Sequence, residues 1–173
     1  IAVDVTVSDG QYIDTDSFVL TVNPVNDAPV LSAVEDQSID EDTFLSLTLS
    51  ASDVDGNALT YSASIDGNAD VSVVDNQLTI TPDGDYNGSI AVDVTVSDGP
   101  VIYTHRIVLT VHRVNDSLVF ISVEEHSIDE DTFLSLILLA SDVDGDALTY
   151  SASLEGNADV SVVDIQLTII PAV

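Results

Sequence analysis

The chain has no cysteine, methionine, tryptophan or lysine, and its two arginines face 31 acidic residues, which leaves a formal charge of -29. Each absence excludes a class of function. Without cysteine there is no disulfide, no thiolate metal site and no thiol nucleophile. With so little positive charge, the surface repels phosphate backbones and anionic lipid heads, so nucleic acid and membrane-surface binding are both disfavoured. No apolar run approaches the roughly 18 residues of a membrane-spanning helix, and the first residues lack the charged start and apolar core of a signal peptide. The sequence therefore reads as an internal part of a longer protein. What is present is aliphatic: 45% of the residues are hydrophobic, far more than acidic disordered chains carry, so the chain is expected to fold.

An internal repeat organises everything else. IAVDVTVSDG at 1–10 recurs unchanged at 90–99, an offset of 89 residues. The same offset carries Val25-Asn26-Asp27 onto Val114-Asn115-Asp116, and Ser38-Ile39-Asp40-Glu41-Asp42 onto Ser127-Ile128-Asp129-Glu130-Asp131. It also carries Asp53-Val54-Asp55-Gly56 onto Asp142-Val143-Asp144-Gly145. In this register residues 1–24 hold the last two strands of one unit, 25–113 a complete unit, and 114–173 the first two thirds of another.

Within a unit the apolar residues alternate with period two, the mark of half-buried strands, and no stretch has helical spacing. Leu45, Leu47, Leu49 and Ala51 alternate with small polar residues, as do Leu59, Tyr61, Ala63 and Ile65, and Ile90, Val92, Val94 and Val96. Between them lie Asp-, Gly- and Asn-rich turns at 53–57, 65–70, 74–76, 82–88 and 97–99, each suited to a tight reversal. Seven short strands in about 89 residues predict an all-β fold of tandem Greek-key sandwiches of immunoglobulin-like shape, one complete and two truncated.

Running such a chain alternately up and down sorts the acids to the two ends. Asn26, Asp27, Asp53, Asp55, Asn57 and Asp98 fall at the top of the complete unit, and Asp40, Glu41 and Asp42, the turns at 65–70 and 82–88 and the exit linker at its bottom. Stacked head to tail, Glu41 and Asp42 face Asn115, Asp116, Asp142 and Asp144 of the next unit. Several carboxylates at close range repel one another unless a hard cation binds them. Calcium, which takes about six to eight oxygens in flexible geometry, suits donors drawn from separate segments better than magnesium does. The alternative is local: Asp and Asn cap main-chain amides in turns, and an acidic surface aids solubility. An EF-hand is excluded, because counting from Asp53 its sixth and twelfth positions are Ala58 and Ser64 where that loop needs Gly and Glu.

VNDAP at 25–29, the DVDG and SDG turns and EDT at 41–43 resemble the cadherin-like tandem repeats of large bacterial surface and secreted proteins. The resemblance implies calcium held between successive sandwiches by Asn26, Asp27, Asp53, Asp55 and Asp98 at one junction. At the next junction it implies Glu41, Asn115, Asp116, Asp142 and Asp144. The second linker departs from the first in lacking its Ala-Pro, and Asn57 becomes Asp146.

Catalysis has no supporting constellation. His105 and His112, seven residues apart on one strand, point to opposite faces; no G-x-S-x-G elbow or phosphate loop is present, and no aromatic platform flanks a pair of carboxylates. Phe44, Tyr61 and Tyr86 are expected in the core. Thr48, Ser50 and Thr81 become Ile137, Leu139 and Ile170 in the next unit, which predicts either an exposed apolar contact patch or drift in a redundant repeat. The expected function is a calcium-stiffened, non-catalytic spacer in an extracellular bacterial adhesin or surface protein, with neighbouring repeats as partners. The alternative is a carbohydrate- or protein-binding module acting through its acidic loops. The open end segments predict either partial disorder or head-to-tail self-association.

Overall fold

The computed structural model describes residues 1–172, and all of their regular structure is β. The segment before the complete unit is a single hairpin, β1 (Ala2–Ser8) with β2 (Ile13–Val19). The complete unit contains β3 (Val30–Leu31), β4 (Gln37–Asp40), β5 (Leu45–Thr48), β6 (Ala51–Ser52), β7 (Thr60–Ile65), β8 (Ala69–Val74), β9 (Gln77–Pro82), β10 (Gly88–Ser97) and β11 (Ile102–His112). Nine strands stand where seven runs were expected, because the first two runs are each interrupted. The first run changes sheets: β3 pairs with β6, then β4 joins β11 in parallel. The second is broken at Leu49, whose amide and carbonyl both bond Asn76.

One layer has the order β4-β11-β10-β7 and the other β5-β9-β8, with β3-β6 continuing it. Alternation in the sequence becomes burial here. Leu45, Leu49, Leu78 and Ile80 from one layer meet Ile90, Val92, Val94, Val96, Ile107, Leu109 and Val111 from the other, and all are buried. Tyr61 and Tyr86 pack against this core. Phe44 does not: it stands one residue out of phase with Leu45, Leu47 and Leu49, so the period that buries them turns its ring to solvent, 64% exposed.

The following unit repeats part of this plan as β12 (Val119–Phe120), β13 (Leu134–Ile137), β14 (Ala140–Ser141), β15 (Ala158–Val163) and β16 (Gln166–Pro171). Among its described residues the β13-β16-β15 layer and the β12-β14 pair form. Residues 149–153 are identical to 60–64 of β7 yet are in no strand, because in the complete unit β7 pairs only with β10. The expected apolar patch is also rearranged. Ile137 pairs with Gln166, whereas Ile170 lies beyond the Leu134–Ile169 pair, next to Asp159. Ile170 therefore stands apart from Ile137 and Leu139, and the neighbour of Leu139 is Ile121, whose amide bonds the Leu139 carbonyl.

Candidate cation-binding junctions

The DVDG turn shapes each junction. Its glycine adopts a left-handed backbone, φ 76° at Gly56 and 74° at Gly145, which a residue with a Cβ resists. The turn closes through a bond from the Gly56 amide to the Asp53 carbonyl. The Asp53 side chain then accepts the amides of Asp55 (3.0 Å) and Asn57 (3.1 Å) through Oδ1.

The linker docks on this turn. The Asp27 amide donates to Asp55 Oδ2 at 2.8 Å, and Asn26 Nδ2 donates to Asp98 Oδ2 at 2.7 Å, while Asn57 Nδ2 donates to Asn26 Oδ1 at 2.7 Å. Asn26, Asp27, Asp53, Asp55 and Asp98 are thus drawn into one group. Asp98 lies below the usual carboxylate range because Asn26 and the Val101 amide donate to its charged form. The local reading is visible in the same atoms, since Asp53 Oδ1 and Asp98 Oδ1 serve as turn caps. Asp53 Oδ2 is different: it is buried and has no partner.

The junction between the complete unit and the next is more crowded. Glu41, 2% exposed, accepts the Val114 amide at 2.6 Å through Oε1 and Asn87 Nδ2 at 3.4 Å through Oε2. The Asp116 amide donates to Asp144 Oδ2 at 2.6 Å, repeating the Asp27–Asp55 contact. Three overlapping sets of carboxylates lie with one oxygen of each residue within 4.8 Å of the others: Glu41, Asp116 and Asp144; Asp42, Asp85 and Asp116; Asp142, Asp144 and Asp146. Asp116 belongs to two of them. Its carboxyl is pushed up by desolvation first, then by Asp144, Asp42, Asp85 and Glu41, and its Oδ2 is buried with no partner.

Of the residues singled out from sequence, Glu41, Asp42, Asp116, Asp142 and Asp144 converge here. Asn115 instead donates Nδ2 to the Asp116 carbonyl at 2.9 Å. Sequence reasoning missed Asp85, Asp146 and Arg113. Asp85 sits in the PDGDYNG loop and is brought to Asp42 by the turn between β9 and β10, its amide reaching Asp42 Oδ1 at 3.3 Å. The up-and-down course of the strands puts that turn at the same end as Asp42, but the loop's own pattern does not single out Asp85. Arg113 was legible, being one of two arginines and adjacent to the linker. Its Nε donates to Asp144 Oδ1 at 2.6 Å and its Nη2 lies 2.9 Å from Asp146 Oδ1.

A hard cation fits this donor set. Oxygen donors dominate, they come from separate segments, and at each junction one buried carboxylate oxygen, Asp53 Oδ2 or Asp116 Oδ2, has no protein hydrogen-bond partner, as a ligand atom for a cation would. The histidines take no part in the carboxylate sets found among the described residues. His105 faces inward and bonds the Val34 carbonyl at 3.2 Å, whereas His112 is exposed.

Residues 26–108 match the family model of the bacterial Ig domain. Over 97 residues the chain is 36% identical to chitinase A of Pseudoalteromonas piscicida, a match covering 55% of this chain and 12% of that protein. Among solved structures, human protocadherin-24 EC1-2 aligns over 68% of this chain and 61% of its own at 21% identity and a TM-score of 0.42. An endo-fucoidan hydrolase from glycoside hydrolase family 107 aligns over 99% of this chain and 29% of its own at 17% identity and a TM-score of 0.45. The sequence match over residues 26–108 and the two-layered β architecture agree on an Ig-like β-sandwich repeat similar to the bacterial Ig domain.

Proposed function

We propose that this chain is a non-catalytic spacer of an extracellular bacterial protein, with repeat junctions stiffened by calcium. The observation that carries the reading is the convergence of Glu41, Asp42, Asp85, Asp116 and Asp144 at one junction, with Asp116 Oδ2 buried and unpaired. Calcium would supply a charge that these oxygens share. Without it, Asp42 and Asp85 of the complete unit repel Asp116 of the linker; with it, these groups are drawn together and the junction is stiffer. Binding to the closed junction alone stabilises it by mass action. The bacterial Ig domain match and the likeness to part of chitinase A support the extracellular setting.

The test is a thermal melt in calcium, in magnesium and in chelator at matched ionic strength. A rise in Tm specific to calcium is expected, reduced in Asp53→Ala and in Asp116→Ala. Equal Tm values in calcium and chelator overturn the reading and return the acids to turn capping and solubility.

The likeness to chitinase A also favours a second reading, an accessory carbohydrate-binding module. Retention of the chain on chitin beads in chelator supports that reading, and its absence removes it.

A further inference from the structure

The two junctions share the DVDG turn and the Val-Asn-Asp core of the linker, and among their differences two change charge in concert. Pro24 before the first linker becomes Arg113 before the second, and Asn57 of the first turn becomes Asp146 of the second. The two changes add one positive and one negative charge, and the structure places them together.

Arg113 bridges two carboxylates of the following repeat: Nε reaches Asp144 Oδ1 at 2.6 Å and Nη2 reaches Asp146 Oδ1 at 2.9 Å. The other oxygen of Asp144 takes the Asp116 amide at 2.6 Å. Both oxygens of Asp144 are therefore engaged, and its side chain is 3% exposed. At the first junction the counterpart, Asp55, is exposed and takes the Asp27 amide on Oδ2, with no cationic partner among the described residues.

We propose that Arg113 is a built-in counter-cation that latches the linker to the DVDG turn of the next repeat, so that this junction closes without a divalent ion. The guanidinium is always charged and its fork fits two carboxylates at once. At the Asp144 end the contact is shielded from water, where opposite charges attract more strongly than at an open surface. Asp146 and Arg113 are 50% and 43% exposed, so the outer arm of the bridge is screened by salt. A divalent ion approaching Asp144 or Asp146 meets a resident positive charge and must displace it. The Asp42–Asp85–Asp116 side of the cluster carries no such charge. The latch itself stands independently of the calcium reading; its effect on metal affinity rests on that reading.

The chain has no cysteine, so two introduced cysteines can carry spin labels at unique positions. Ser72 and Ser161 are exposed, equivalent residues of successive repeats. The Ser72→Cys, Ser161→Cys chain is compared with Arg113→Gln and with Arg113→Pro plus Asp146→Asn, which restores the pair the first junction already uses. In chelator the parent is expected to give a narrow distance distribution and both variants a broad one, which calcium narrows. Narrow distributions in chelator for both variants overturn the latch. Broad variant distributions that calcium fails to narrow leave the latch standing and sink the calcium-stiffened spacer instead. Unchanged amide protection in β10 checks that the variants are folded.

Discussion

Glu41 joins the bottom of the Ig-like repeat to its exit linker: its amide bonds the His112 carbonyl at 2.9 Å and its Oε1 accepts the Val114 amide at 2.6 Å. Truncation leaves a main-chain donor without its charged acceptor, so Glu41→Ala is expected to cost about 2 kcal/mol, read as a lowered urea midpoint in chelator. Asp116 is the opposite kind of residue, strained by its neighbours. Its raised value means the folded chain binds this proton more tightly than the unfolded one. That contribution is present below the unfolded carboxylate range and is lost as pH rises through the folded value. Asp98 and Asp144, held low, behave conversely and lose their contribution as pH falls through their folded values. Asp116→Asn is therefore expected to raise Tm in chelator at pH values above the raised folded value of Asp116 while weakening the calcium response. A Tm–pH profile unchanged by the substitution would refute this account of Asp116.

Identical strands have different surroundings in this chain, which makes each element its own control. Val94 in β10 is 0% exposed, between the two layers; Val5, its counterpart in β1, is 56% exposed. Val94→Ala removes packed methyl groups and is expected to cost about 2 kcal/mol. Val5→Ala is expected to change the urea midpoint of the Ig-like repeat by less than about 0.5 kcal/mol equivalent. Hydrogen exchange gives a second comparison. Residues 60–64 are paired to β10 and their amides are expected to exchange slowly, whereas 149–153, the same five residues without that partner, exchange fast. Equal protection in the two segments would show that a partner strand is not what orders β7.

For the molecule as a whole, a charge of -29 with two arginines means that self-repulsion acts at every junction. Sodium chloride is expected to raise Tm in chelator as screening lengths fall, except where it weakens the Arg113 bridge. The open faces are also complementary. The strands of residues 1–24 correspond to 90–113, which close the sandwich in the complete unit, and the unit at 114–173 presents the matching open layer. For the polypeptide of residues 1–173, the alternative to partial disorder of the end segments is head-to-tail association, which gives a weight-average mass that rises with concentration in sedimentation equilibrium. A mass of 18.2 kDa at every concentration would refute it.

Alternation, turn chemistry and repeat length were enough to read the layers, because period-two alternation is a local property of the sequence. Leu45, Leu47 and Leu49 mark one face of a strand that a second layer can bury, and Asp53-Val54-Asp55-Gly56 announces a turn. The linker and turn acids could be grouped for the same reason, since the up-and-down course of the strands assigns each turn to an end. The tertiary structure decided which identical segments become ordered strands. IAVDVTVSDG is core at 90–99 and exposed at 1–10, and TYSAS is a strand only where β10 lies beside it. It also decided that Asp85 meets Asp42, that Phe44 points outward, that Ile170 leaves the apolar patch, and that Arg113 bridges Asp144 and Asp146. A strand exists through its partner and a charge acts through its neighbours, and neither is written in the residue that depends on it.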